Sequence, residues 1–212
     1  QPDSAAAAVP APVELGAPEA VPAPAAWSIE AAKALYNIEG WGDGHFDVNA
    51  AGRVIVRPDK DHPQRTVDLY ELAHDLEAQG VALPVLLRFS DILKSRIEAL
   101  HARFASAIAE FQYEGRYTTV YPIKVNQQRQ VIEEIAEFGK KYHYGLEAGS
   151  KPELIAALAH MNDPEAYIIC NGYKDEEFID LALHSQKMGL KIMLVLEMPS
   201  ELELILERSR KI

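Results

Sequence analysis

Residues 167–197, "YIICNGYKDEEFIDLALHSQKMGLKIMLVLE", carry the pattern that decides the fold. The apolar run Tyr167–Cys170 is too short for anything but a strand, and a helical stretch from Asp175 to Met188 follows it. A second apolar run, "KIMLVLE", comes next. Strand, helix and strand in that order predict a βα unit with parallel strands.

The same alternation extends in both directions. After Pro84, "VLLRF", "TTVYPIK", "YHYGLEA", "AYIICNG" and "KIMLVLE" read as five strands. The helices expected after them span 91–111, 128–140, 151–159, 175–188 and 201 onward. Ser150 with Glu153, and Ser200 with Glu203, have the spacing of capping boxes, in which each side chain satisfies a backbone N–H that a helix start leaves unpaired.

Upstream, "HFDVN" and "RVIVRP" predict a β-hairpin, and "GWGDGH" supplies turn glycines. A phosphate loop is the weaker reading of those glycines, because no strand precedes them and no helix follows. "VDLYELAHDLEAQG" predicts a helix with Leu69, Leu72, Ala73 and Leu76 on one face, Gly80 as its stop and His74 on the surface. Residues 1–26 hold ten alanines, six prolines and no basic residue, the composition of a disordered leader. A secretory signal would need a basic start and an unbroken apolar core, so a cytoplasmic location is expected. The chain starts at Gln1 and stops inside the helical pattern "SELELILERSRKI", from which a fragment of a longer protein is expected.

The 212 residues are 48% hydrophobic and 25% charged, enough for one large domain. A net charge of −11 without a basic cluster argues against a nucleic-acid partner, since phosphate binding rests on clustered Lys and Arg. No apolar run reaches the roughly 18 residues of a membrane span. The single cysteine, Cys170, excludes an internal disulfide framework and reads as a small core residue.

Polar residues stand where successive strands end: Lys124, Glu147, Asn171 and Glu197. In parallel α/β folds ligands bind at that edge. Lys124 directly continues the apolar "VYPI", and two readings stay open for it. Either its amine sits at the mouth of the core, where burial favours the neutral form that condenses with an aldehyde, or it snorkels to the surface.

"LYNIEGWGDGHFDVNAAGRVIVRPD", "YPIKVNQQRQVIEEI", "GLEAGSKPELIAAL" and "CNGYKDEEFIDLAL" closely resemble the biosynthetic arginine decarboxylases of bacteria and plants, in order from about Ala34 to Ile212. The resemblance implies an alanine-racemase-like architecture, a (β/α)8 TIM-type barrel joined to a β domain built from both chain ends. The expected division is a leader (1–26), an N-terminal segment with hairpin and helix belonging to the β domain (27–82), and an incomplete pyridoxal-phosphate-binding barrel (83–212). The implied activity is pyridoxal-phosphate-dependent decarboxylation of L-arginine to agmatine and CO2 in polyamine (putrescine and spermidine) biosynthesis. Lys124 matches the lysine that carries the cofactor. Glu147 matches an acidic residue near that lysine in related decarboxylases.

Mg2+ as a second cofactor and homo-oligomers with shared active sites are also implied, although no metal-ligand spacing occurs in the sequence. The family's glycine-rich phosphate loop, the acidic partner of the pyridine nitrogen, the substrate-binding stretch and a late cysteine are expected beyond Ile212. The piece alone is therefore expected to be inactive. The alternatives are a decarboxylase of ornithine, diaminopimelate or carboxynorspermidine, and a non-catalytic decarboxylase-like regulator.

Overall fold

The computed structural model describes residues 26–212, so the leader expected at 1–26 lies outside the described residues save for its last position. The chain enters through two short helices, α1 (Ile29–Leu35) and α2 (Ile38–Gly42). Ser28 caps α1 by accepting the Ala31 N–H. The hairpin read from "HFDVN" and "RVIVRP" forms as antiparallel β1 (Phe46–Val48) and β2 (Val54–Val56), in the register Phe46 with Val56. The helix expected from Val67 begins two residues later. Val67–Asp68 instead forms a third antiparallel strand, β3, against β2, and Asp68 caps α3 (Leu69–Ala78) by accepting the N–H groups of Tyr70 and Glu71.

This three-stranded unit docks on the long helix α4 (Ser90–Glu110) through a buried histidine. His45 Nδ1 lies 2.9 Å from the Arg57 carbonyl oxygen and Nε2 lies 3.2 Å from Ser95 Oγ on α4. Asp43 reinforces the contact by pairing with Lys60 at 3.0 Å and with Arg96.

The rest of the chain alternates: β4 (Val120–Pro122), α5 (Arg129–Gly139), β5 (Gly145–Ala148), α6 (Lys151–His160), β6 (Tyr167–Cys170), α7 (Glu176–Lys187), β7 (Lys191–Leu194) and α8 (Pro199–Lys211). All pairings within this sheet are parallel, in the order β4-β5-β6-β7. Each strand thus lies beside its predecessor with no reversal. That is the winding of a barrel wall rather than of a doubly wound sheet, where the strand order reverses at a switch point. The chain is α/β, the N-terminal part of a (β/α)8 barrel preceded by an antiparallel β unit.

Side-chain parity fixes which face of the wall is packed. Leu146 and Ala148 on β5, and Ile168 and Cys170 on β6, are wholly buried against Leu154 and Ala157 of α6 and Phe178 and Ala182 of α7. Burying a side chain the size of Phe178 stabilises the fold by about 1.5–3 kcal/mol. The alternate row pairs Pro122, Glu147, Ile169 and Met193 in register across the four strands, on the opposite face. Met193 there is half exposed. A second cluster, Ile97 with Val131 and Ile135, holds α4 against α5.

Two expectations fail. "VLLRF" keeps a strand's alternation, with Val85, Leu87 and Phe89 half-buried and Leu86 and Arg88 exposed, but it joins no ladder. Among the described residues the wall has four strands rather than five. The Ser200–Glu203 capping box is also absent, because α8 starts earlier: Pro199 occupies its first turn and Met198 is the N-cap, without a side-chain cap bond. The Ser150–Glu153 pair does form in part. Ser150 Oγ accepts the Glu153 N–H at 3.4 Å, while Glu153 Oε2 accepts the N–H of Gly149 at 2.7 Å.

Candidate active site

Lys124 lies just beyond β4 rather than on it. Pro122 ends the strand, and Ile123–Val125 form a single 3-10 turn. Ile123 is buried in the core and anchors the turn from below. From the other side, the Tyr121 hydroxyl donates to the Asn126 carbonyl at 3.4 Å, and Asn126 Oδ1 accepts the Gln128 N–H at 3.0 Å where α5 begins. Burial pushes the Tyr121 phenol above its ordinary pKa, so the hydroxyl stays a donor.

The burial considered for Lys124 is not found: its side chain is exposed. Among the described residues β4 is an edge strand with no further strand on that side, and the buried position of the turn goes to Ile123. Among the described residues none hydrogen-bonds or ion-pairs with its ammonium. The turn thus presents an unengaged lysine side chain at the C-terminal edge of the parallel wall.

Glu147 pairs in register with Pro122, which places it on the adjacent strand two residues short of Lys124. It is half-buried, and its Oε1 accepts a hydrogen bond from Asn171 Nδ2 at 3.2 Å. Asn171 is itself fixed by its backbone N–H, which donates to the Ala148 carbonyl at 2.8 Å. Glu197 Oε1 accepts the Gly172 N–H at 3.0 Å. Three of the four strand-end residues are therefore joined through one hydrogen-bonded strip, and Lys124 stands beside it without entering it.

Sequence reasoning missed two residues here, Lys174 and Glu201. The buried lysine of this edge is Lys174, whose side chain has 0% exposure, paired with Glu201 at 4%. Burial alone would raise the Glu201 pKa, but the N–H groups of Glu197 and Lys174, together with the Lys174 ammonium, hold it below the ordinary range. One signal in the sequence could have found Glu201: Pro199 marks a first helical turn, which places Glu201 at the third helical position, facing back toward the preceding loop. Lys174, in the loop "NGYKD", carries no comparable mark.

Cys170 is wholly buried, and burial pushes its thiol up to about 11. It is a core residue and not a nucleophile, since a reactive cysteine needs an accessible thiolate.

Comparison with known proteins places these features in a family. Residues 94–211 match the family model described as "Pyridoxal-dependent decarboxylase, pyridoxal binding domain". The chain is 51% identical over 175 residues to the biosynthetic arginine decarboxylase of Thermosynechococcus vestitus, covering 82% of this chain and 27% of that protein. It is 50% identical over 186 residues to the biosynthetic arginine decarboxylase of Bacteroides thetaiotaomicron, covering 88% of this chain and 29% of that one. The crystal structure of the biosynthetic arginine decarboxylase SpeA from Campylobacter jejuni superposes with a TM-score of 0.77 at 36% identity, covering 84% of this chain and 29% of SpeA. Diaminopimelate decarboxylase from M. jannaschi shares the fold, with a TM-score of 0.54 at 23% identity over 81% of this chain and 34% of that one. The chain thus spans 27% and 29% of the length of these two curated relatives.

Proposed function

The chain belongs to the pyridoxal-dependent decarboxylase family through its pyridoxal binding domain, and on that premise we propose that its protein decarboxylates L-arginine to agmatine and CO2. The similarity to the arginine decarboxylases of T. vestitus and B. thetaiotaomicron supports arginine as the substrate. The observation that carries the chemistry is the unengaged side chain of Lys124 at the C-terminal edge of the wall, one strand over from Glu147, which pairs in register with Pro122.

The residues present fit one end of pyridoxal 5'-phosphate. The Lys124 side chain is exposed and unengaged, so an aldehyde can reach it, and Lys124 would hold the cofactor there. When bound, pyridoxal phosphate supplies the electron sink that takes up the charge left as CO2 departs. The turn that carries Lys124 is tethered at both ends, which fixes where its backbone sits beyond the strand end. Glu147 lies on the adjacent strand, in register with Pro122, and Asn171 orients its carboxylate by donating to Oε1. We assign Lys124 as the cofactor lysine and Glu147 as a supporting cofactor-site residue.

The division at residues 82 and 83 into a β-domain segment and the start of the barrel belongs to the same reading. It is supported by the absence of a shared ladder between the two sheets of the described residues. Putrescine and spermidine biosynthesis, homo-oligomeric assembly, a cytoplasmic location and Mg2+ as a second cofactor are likewise proposed, with no residue assigned to the metal. No helix among the described residues is long and apolar enough to cross a membrane. Residues 1–212 supply the lysine end of the site, and we propose that alone they do not turn arginine over.

The test is product formation by the full-length protein loaded with pyridoxal phosphate and offered arginine, ornithine, diaminopimelate and carboxynorspermidine in turn. Agmatine from arginine as the dominant product is expected. Preference for another of the four would reassign the substrate, and no turnover of any would favour the regulator.

A further inference from the structure

Lys174 and Glu201 form the only ion pair of the described residues in which both side chains are almost wholly withdrawn from water. Such a pair is weak evidence for stability, because desolvating two charges offsets much of their attraction. Its hydrogen bonds indicate another use. Lys174 Nζ donates to the Gly172 carbonyl at 2.5 Å and reaches Glu201 Oε2 at 3.5 Å. Glu201 Oε1 accepts the backbone N–H of Lys174 at 3.0 Å, and Oε2 accepts that of Glu197 at 2.8 Å. The pair therefore clamps the loop after β6 to the loop after β7.

Gly172 is the residue under the clamp. Its φ is +72°, a backbone conformation that side chains resist, and a Cβ there would lie 2.8 Å from the Gly149 carbonyl oxygen. The Gly172 N–H points to Glu197 Oε1 and to Asn171 Oδ1, each at 3.0 Å. Its carbonyl is held by the Lys174 ammonium. Gly172 is thus fixed on both sides, and Asn171, its immediate neighbour, is the residue that orients Glu147.

We propose that the Lys174–Glu201 pair is a positioning device for the candidate site, setting the Asn171–Gly172 backbone and through it the direction of the Glu147 carboxylate beside Lys124. The inference rests on the proposed decarboxylase reading and adds Lys174 and Glu201 to it as positioning residues. Neither touches the reacting atoms.

The test uses the full-length holoenzyme and the variants Lys174→Met, Glu201→Gln, the neutral double variant of both, Asn171→Ala, and Asn171→Ala combined with Lys174→Met. Each is read by kcat and KM for arginine, by the visible circular dichroism of bound pyridoxal phosphate, and by thermal melting. The single charge removals are expected to lower the melting temperature, and the neutral double variant to recover most of that loss. Its kcat should stay about tenfold to a hundredfold below wild type, with KM changed less, because Gly172 has lost its ammonium partner. The cofactor's dichroism should stay altered as well. Lys174→Met should add little to the kcat loss of Asn171→Ala, since both act on Glu147 through one route.

Recovery of kcat and dichroism together with melting in the double variant would make the pair merely structural and overturn the proposal. Fully additive kcat losses would do the same. Failure of the wild-type protein to act on arginine would instead remove the substrate assignment. The dichroism would then still report whether the pair sets the cofactor's surroundings.

Discussion

The imidazole of His101 stacks on the ring of Tyr142, with centroids 3.9 Å apart and planes 5° from parallel. His101 is buried on α4, and its Nε2 lies 3.2 Å from Thr119 Oγ1 just before β4. Burial disfavours the imidazolium, the Lys141 ammonium adds to the effect, and the pKa lies below the ordinary 6.5.

The sign of the resulting pH dependence follows. An unfolded chain takes up the proton near pH ~6.5, whereas the folded chain resists it. The His101 contribution to stability is thus complete above about pH 6.5 and is lost as the pH falls through the window beneath it. Melting curves from neutral to mildly acidic pH should show an acid limb that flattens in His101→Phe. That variant should also cost about 1–3 kcal/mol at neutral pH, from leaving the Thr119 hydroxyl unpaired. An unchanged acid limb would assign the pH dependence to other groups.

Borohydride reduction of the full-length holoenzyme should fix pyridoxal phosphate to the peptide containing "VYPIKVNQ" and to no other. Lys124→Ala should lose the visible absorption of the bound cofactor and lower agmatine formation by about a thousandfold or more. The fold should survive, since only an exposed side chain is removed. Lys124→Arg should fail equally, because a guanidinium keeps its proton and supplies no neutral amine. Label on Lys151 or Lys174, confirmed by peptide mass, would refute the assignment of Lys124.

The two Ser-x-x-Glu pairs should respond differently to alanine. Ser150→Ala removes a cap bond and should cost on the order of 1 kcal/mol in urea unfolding. Ser200→Ala should change stability by less than about 0.5 kcal/mol, because α8 is capped at Met198 and Ser200 makes no cap bond. Equal losses would mean that α8 starts where its sequence spacing alone suggests.

Cys170 should resist alkylation at mildly alkaline pH until the protein unfolds, given a wholly buried thiol whose pKa is raised to about 11. Cys170→Ala should retain turnover and lose on the order of 1 kcal/mol of stability from the missing sulfur. Rapid labelling of the native protein would show that the wall opens between β6 and its helices.

The periodic signals in the sequence were sufficient for the hairpin, for four of the barrel strands and for the helices between them, because a strand or helix declares its buried face through local spacing. The same locality placed Lys124, Glu147, Asn171 and Glu197 at strand ends. Where the sequence misled, the deciding partner was distant. "VLLRF" has the alternation of a strand, but a strand exists only when a neighbour offers ladder bonds, and none of the described residues does so here. A lysine's burial is likewise not a property of its own segment. Lys124 follows an apolar strand yet is exposed because that strand is an edge among the described residues, while Lys174 sits in a polar loop yet is buried because Glu201, 27 residues away, folds back over it. An ammonium leaves water only where a counter-charge and a carbonyl await it, and only the tertiary structure decides where those two are brought together.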